Sequence, residues 1–271
     1  YYRSTLNRHF REPAPAVCSA MSEDGAVFGG QNNLHEGLEN ACALYKPKMV
    51  AIFTSCMPEI IGDDLSAFIK NARQKGNLPK DVPSPYAMLS AILETLTEGR
   101  AVEGRCTGKL NFIAGFDANT GNYREYKRIF EAFGIPHTFL ADISESFDSP
   151  LDGTYRLYPG GTPLEEAADS INGKATLSVA PYATTKTFTW VKESYSGKHV
   201  SMPMPMGISK TDAFLLKLSE LFDKPVPDAL RAERGRAVDA MTDSHQYVHG
   251  KRFAVYGDAD YLVGYVSFLL E

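Results

Sequence analysis

One phrase recurs along this chain: a short apolar, β-branched run, a loop rich in glycine, asparagine or aspartate, then a helical stretch. "MVAIFTSC" (49–56) leads through a loop into "DDLSAFIKNARQKG", and "LNFIAGF" (110–116) leads into "YREYKRIFEAFG". "RFAVYGDADYLVGYVSFLL" (252–270) holds all three parts, and "PHTFLAD" (136–142) reads as the strand that follows the second helix. Apolar residues at helical spacing mark the helices, and short bounded apolar runs mark the strands. Strands that alternate with helices pair in parallel, and parallel sheets need cover on both faces. The pattern predicts an α/β chain of repeated Rossmann-like domains, with parallel sheets flanked by helices. It divides as 1–107, 108–250 with a helical linker, and 251–271, the start of a third α/β domain. Such sheets place their chemistry at the carboxyl ends of the strands. Cys56 stands at one of those ends.

Local signals fix several boundaries. Asp63 or Asp64 is an N-cap for the helix that follows, and Gly76 is its stop. Thr162 reads as a cap with Glu165 and Glu166 in the first helical turn. "VSMPMPMGISKTDAFLLKLSELF" is an extended approach to an amphipathic helix, and "PDALRAERGRAVDAMTDSHQYV" is a longer helix running through Gly235.

The balance of the 271 residues excludes several classes. They are 44% hydrophobic and 23% charged with a formal net charge of −5, ordinary for a globular protein with a real core. Charges of both signs are interspersed, which leaves no electrostatic footprint for nucleic acid or an anionic membrane. No apolar run reaches the ~18–20 residues of a transmembrane helix. The opening "YYRSTLNRHFREP" lacks the layout of a signal peptide, and four cysteines at unrelated spacings make no secreted disulfide framework. A reducing cytoplasm fits best. Both ends read as cut, so the expectation is the interior of a longer subunit.

Cys56 is the first candidate for chemistry. An isolated cysteine is usually a small buried hydrophobe. Its place at a strand end faces the crevice where α/β proteins bind ligands, and thiolates are the normal ligands of iron–sulfur clusters, but alone this signal is weak. The sequence has no CxxC, so a cluster here needs cysteines from elsewhere, above all another chain. Cys18, Cys42 and Cys106 read as packing or chance. "FGGQNNL" lacks the Walker Lys-Ser/Thr and the GxGxxG spacing, so Gly29 and Gly30 read as a tight turn with close backbone packing. Asp239 and Asp243 share one helix face. They read either as a solvated face paired to arginines or as one side of a hard-cation site. His245 and His249, four apart in "DSHQYVHGKR", read as a polar helix end rather than a metal site.

Five stretches then fall in one order: "LNRHFREP" (6–13), "SEDGAVFGGQNNLHEGL" (22–38), "TSCMPEIIGDDL" (54–65), "RAERGRAVDAMTDSH" (231–245) and "HGKRFAVYGD" (249–258). Together they resemble the β-subunit family of nitrogenase molybdenum–iron proteins, over nearly the whole chain. The resemblance implies a central portion of such a subunit, working with an α subunit in an α₂β₂ heterotetramer. It implies an [8Fe-7S] P-cluster at the α/β interface, bridged by cysteines of both chains. That cluster relays electrons from the ATP-hydrolysing iron protein, a transient partner, to the cofactor in the α subunit, where dinitrogen becomes ammonia. Cys56 matches the cluster ligand of the family's "TTCMAE"-type motif. Tyr2 matches a tyrosine close to the cluster, an electron-transfer neighbour.

The resemblance also implies a divalent cation, calcium or iron, between two β subunits. Arg11, Glu12, Asp239 and Asp243 match its positions. Arg11 contributes by its backbone carbonyl, since a guanidinium has no acceptor.

The departures are specific. Tyr1 and Tyr2 align with the end of a "GCVAY"-like segment, so further ligand cysteines fall before this chain begins. After "VPSPYA" (82–87) the family continues with a "TPSFVGSHVTGYDN"-like loop, whereas Ala87 here runs straight into Met88. The close match of the flanks favours an omitted loop over a deleted one. Within the superfamily the alternatives are a cofactor-assembly scaffold or a dark-operative protochlorophyllide reductase subunit, in which the "NRHFREP" and "MTDSH…HGKRFA" runs are not expected together. From another class, a periplasmic-binding-like ligand module is disfavoured by the missing signal peptide.

Overall fold

A computed structural model gives the fold and describes residues 8–12, 15–19, 23–52, 62–76, 88–115, 117–154 and 160–271. The chain forms two compact units, Tyr1–Asn7 with Glu12–Leu96 and Arg8–Arg11 with Thr97–Glu271.

The described part of the first unit is helical: α1 (Glu23–Phe28), α2 (Gln31–Tyr45), α3 (Leu65–Lys75) and α4 (Met88–Thr97). His35, Leu38 and Ala41 recur at helical spacing and form the buried face of α2. Leu38 meets Ala72 of α3 in a small core that also takes in Leu34, Cys42, Val50, Ile52 and Ile69. The His35 ring adds a 3.0 Å hydrogen bond from Nε2 to the carbonyl of Phe68. Asp64 caps α3 by accepting the Ala67 N–H at 3.0 Å, and Gly76 ends it in the left-handed conformation. Asp63 instead accepts the N–H of Gly30 at 3.0 Å. At Gly29 φ is +92°, and a Cβ there would stand 3.1 Å from the Asp63 carboxylate, so turn and packing both call for glycine.

The strand expected over 49–56 does not form at 49–52, where Val50 and Ile52 pack without ladder pairing. Residues 53–56 lie outside the described set.

In the second unit β1 (Leu110–Ile113), β2 (His137–Phe139), β3 (Ala175–Ser178) and β4 (Lys198–Ser201) form a parallel sheet in the order β2-β1-β3-β4. Leu110 faces His137 on one side and Ala175 on the other, and Ala175 faces Lys198. The helices of this unit are α5 (Thr120–Ala132), α6 (Ser144–Phe147), α7 (Leu164–Asp169), α8 (Thr185–Ser194), α9 (Gly207–Phe222), α10 (Asp228–Val248) and α11 (Ala259–Leu269).

Side chains alternate across the sheet, so β1 and β3 each build two interfaces. Leu110, Phe112, Ala175 and Leu177 join the main core with Tyr126 and Phe130 of α5 and Phe214 and Leu218 of α9. Phe112 is fully buried at the centre of an aromatic cluster, its ring 5.1 Å from Phe130 and 5.0 Å from Phe139 in edge-on contacts. The alternate positions are mixed: Ile113 is buried and apolar, while Asn111, Thr176 and Ser178 are polar and satisfied. Asn111 Nδ2 donates to the Ser170 carbonyl at 2.7 Å and to Thr176 Oγ1 at 3.2 Å. Ser178 and Thr184 share a 2.8 Å hydroxyl contact.

Two further expectations are corrected here. Thr162 does not cap α7, whose N-cap is Pro163. Its hydroxyl donates instead to the buried Phe139 carbonyl at 2.7 Å, and its backbone bridges Phe10. Residues 252–257 form no strand, since no strand among the described residues pairs with them, although α11 follows as expected.

Candidate functional site

The sheet order reverses between β1 and β3, so the loops after these two strands open the crevice where parallel sheets bind ligands. In this chain α11 reaches into it. Asp260, 3% exposed, accepts the backbone N–H groups of Tyr182 at 3.0 Å and Ala183 at 2.9 Å, in the turn leading into α8. These are the donors that an anion takes at such a loop. The chain supplies its own carboxylate.

The neighbouring Tyr261 turns to the loop after β1. Its hydroxyl donates to the buried carboxylate of Asp117, which also accepts Asn119 N–H at 2.8 Å and Asn122 Nδ2 at 2.7 Å. Burial, with the nearby Asp117 carboxylate, holds the Tyr261 phenol well above the usual range. At the far end of α11, Glu271 accepts the N–H groups of Ile208 at 2.6 Å and Ser209 at 2.9 Å, capping α9. Burial opposes ionisation of Glu271, but the hydrogen bonds from Ser209 and Ile208 bring it below the usual carboxylate range. Gly264 allows the close approach of α11, since a Cβ there would lie 2.6 Å from Met206 Sδ.

Beside these contacts is a cleft of about 710 Å³, lined by Asn119, Gly121, Met206, Gly207, Tyr265 and Phe268. No charged side chain lines it. At the other end of the sheet, a cavity of about 380 Å³ has its charges paired, Arg100 with Glu165, Arg105 with Asp169 and Lys109 with Glu166. Sequence reasoning missed Asp117, Asp260 and Glu271; only the acidic "GDAD" before α11 signalled a helix start.

Of the residues singled out from sequence, Tyr2 and Cys56 lie outside the described residues. Flanking Cys56, Ile52 is in the first unit's core and Asp63 and Asp64 hold the turns beside α2 and α3. Cys18 and Cys106 are exposed, while the Cys42 thiol packs in that core and burial pushes it toward its neutral form.

Arg11 and Glu12 are exposed, and the Arg11 N–H donates to the Thr162 carbonyl at 3.1 Å. Asp239 and Asp243 are exposed on one face of α10. Among the described residues no three His, Cys, Asp or Glu side chains gather as a metal cage.

A parallel sheet layered between helices, with its carboxyl-end crevice at the order reversal, places the second unit in the Rossmann-like α/β class. A profile of the family "Nitrogenase component 1 type Oxidoreductase" matches residues 1–271, and the chain belongs to that family.

Similar proteins include the nitrogenase molybdenum-iron protein beta chain of Nostoc sp., 48% identical over 286 residues. That match covers 100% of this chain and 56% of the relative. The beta chain of Azotobacter vinelandii is 42% identical over 288 residues, covering 100% and 55%. A solved structure described as "Nitrogenase Cp1 at pH 6.5" superposes with a TM-score of 0.69 at 33% identity, covering 100% of this chain and 62% of its own. The chain thus spans about half the length of the curated relatives it matches.

Proposed function

We propose that this chain is part of a nitrogenase molybdenum–iron protein β subunit. The observation that carries the reading is similarity over the whole chain, 48% identical to a named beta chain in a match that covers 100% of this sequence. In this reading it pairs with an α subunit and a second β subunit in an α₂β₂ heterotetramer, in the cytoplasm. The iron protein docks transiently, and neither nucleic acid nor membrane is a partner. Among the described residues no helix is long and apolar enough to cross a membrane. The division at 107/108 and 250/251 belongs to the same proposal.

The donor set fits an iron–sulfur group only in part. Cys42 is committed to packing, and the motif match makes Cys56 the thiolate this chain offers, with the other ligands from flanking sequence and the α subunit. When bound, an [8Fe-7S] P-cluster supplies electron relay from the iron protein toward the α-subunit cofactor, for ATP-dependent reduction of dinitrogen to ammonia. The work of this chain is to present the Cys56 sulfur at the α/β interface and to pack Tyr2 beside it.

Arg11, through its carbonyl, and Glu12 would meet Asp239 and Asp243 of a second β subunit around calcium or iron. Carboxylates converging across a two-fold interface repel until a divalent ion neutralises them.

The test is Cys56→Ala in the full-length subunit, co-expressed with its α partner. Iron content and the EPR of oxidised protein are expected to fall sharply while the subunits still assemble. Unchanged iron and EPR would rule out ligation by Cys56.

A further inference from the structure

The helix α10 carries a second pair of metal-binding side chains that the proposed function does not use. His245 and His249 are four apart, both exposed, at the last turn of the helix, where the His249 N–H donates to the His245 carbonyl at 2.8 Å. Their rings lie side by side, with centroids 5.1 Å apart and planes tilted by 45°.

This spacing is a chelating one. An ion bonded tetrahedrally to one nitrogen of each imidazole, at about 2.0–2.1 Å, holds the two ring centroids about 5 Å apart. Little ring movement is therefore needed to close on an ion. The helix end helps, because its unpaired carbonyls carry the negative end of the dipole and favour a cation. The backbone is held by the helix, so binding orders only two short side chains.

We infer that His245 and His249 form a two-nitrogen site for a borderline divalent transition-metal ion, of the zinc, nickel or copper(II) class. Imidazole nitrogens select such ions, whereas carboxylates and carbonyls select calcium and magnesium. Among the described residues no third His, Cys, Asp or Glu joins the pair, so water completes the coordination. The site is distinct from Asp239 and Asp243. At about 100° and 1.5 Å per residue, the imidazole pair lies about a third of a turn round α10 from them and about 9 Å further along. One helix thus presents a hard-cation face and a borderline-cation face. Reading these histidines as a polar helix end described their position but not their mutual geometry.

The experiment titrates zinc, by calorimetry, into the untagged full-length protein in its native assembly, with calcium held in excess to saturate carboxylate sites. One saturable zinc per chain is expected. His245→Ala and His249→Ala should each weaken it by about tenfold or more, since a single imidazole cannot chelate. Raising the calcium concentration further should leave the zinc isotherm unchanged, because imidazole nitrogens do not select calcium. Both histidines are exposed, so the variants should keep the wild-type circular dichroism and melting temperature. The absence of saturable zinc, or an isotherm unchanged in His245→Ala, would overturn the site.

Discussion

The carboxylate of Asp260 lies 2.9 Å from the backbone N–H of Ala183, joining α11 to a turn 77 residues earlier in the chain. Tyr182 supplies the second N–H, so one buried side chain satisfies two backbone donors. Hydrogen bonds to an ionised acceptor contribute about 1.5–3 kcal/mol, and an orphaned buried donor costs a similar amount. Asp260→Asn should destabilise the protein by about 1–3 kcal/mol, and Asp260→Ala by more, since it leaves both N–H groups unpaired. Urea unfolding with hydrogen exchange at residues 182 and 183 checks the order. Equal stability of all three proteins would show that the contact contributes nothing.

Asp117 and Tyr261 make a second tie. Tyr261→Phe removes a donor from a carboxylate that is 3% exposed and keeps Asn119 and Asn122 as partners. The expected loss is about 1–2 kcal/mol, and the double variant with Asp117→Asn should lose less than the sum of the singles. Strict additivity in that cycle would mean the two side chains are not coupled.

His199 sets a pH dependence. Its Nε2 contacts the Tyr195 carbonyl at 3.1 Å as donor, while Nδ1 is buried with no partner among the described residues. Burial lowers its pKa from the usual 6.5, and the Lys192 charge acts in the same direction, against the hydrogen bond to Tyr195. The fold prefers the neutral ring, so the unfolded chain binds the proton first. This contribution is complete above the unfolded value and is lost as the pH falls from about 6.5 toward the folded one. His199→Gln should flatten that part of the curve of melting temperature against pH. A slope unchanged by the substitution would place the titration elsewhere.

The aromatic core gives a packing prediction. Phe112 is fully buried among four aromatic rings, so Phe112→Ala should cost about 3–5 kcal/mol, near the stability of a small domain. Phe112→Leu should cost clearly less. A chemical-denaturation midpoint that barely moves in the alanine variant would contradict the cluster's central role.

For the proposed cation between β subunits, stripping divalent ions should promote tetramer dissociation in the wild type. Asp239→Asn with Asp243→Asn should dissociate readily with or without calcium or iron. If wild type and variant dissociate alike under both conditions, those aspartates form a charged surface and hold no ion.

How far the sequence spoke depended on whether a feature was local. The helices α3, α5 and α10 were legible because capping and apolar spacing are written in consecutive residues. β3 was not. "ATLS" has no run of β-branched residues, and its buried Thr176 and Ser178 are tolerated only because Asn111 and Thr184 meet them. The run 252–257 erred the other way, reading as a strand but finding no neighbour to pair with. Asp239 and Asp243 were visible from their spacing, whereas Asp260 was not, since its partners are 77 and 78 residues away. The assignment of Cys56 and Tyr2 drew on motif resemblance, which carries information that periodicity lacks.

The three carboxylate contacts of α11 also settle its degrees of freedom. A body held at one point can swivel, and one held at two can still turn about the line between them. Here Asp260, Tyr261 and Glu271 engage three different parts of the second unit, the turns after β3 and β1 and the first turn of α9. Both ends of α11 are thus pinned to the carboxyl edge of the sheet and to α9. Lys251–Tyr256, exposed and in no ladder among the described residues, joins α11 to the C-terminal end of α10. The other end of α10 is tied directly to the sheet's covering helices, by Leu230 in the main core and by the Glu233–Arg128 and Arg234–Asp212 ion pairs to α5 and α9.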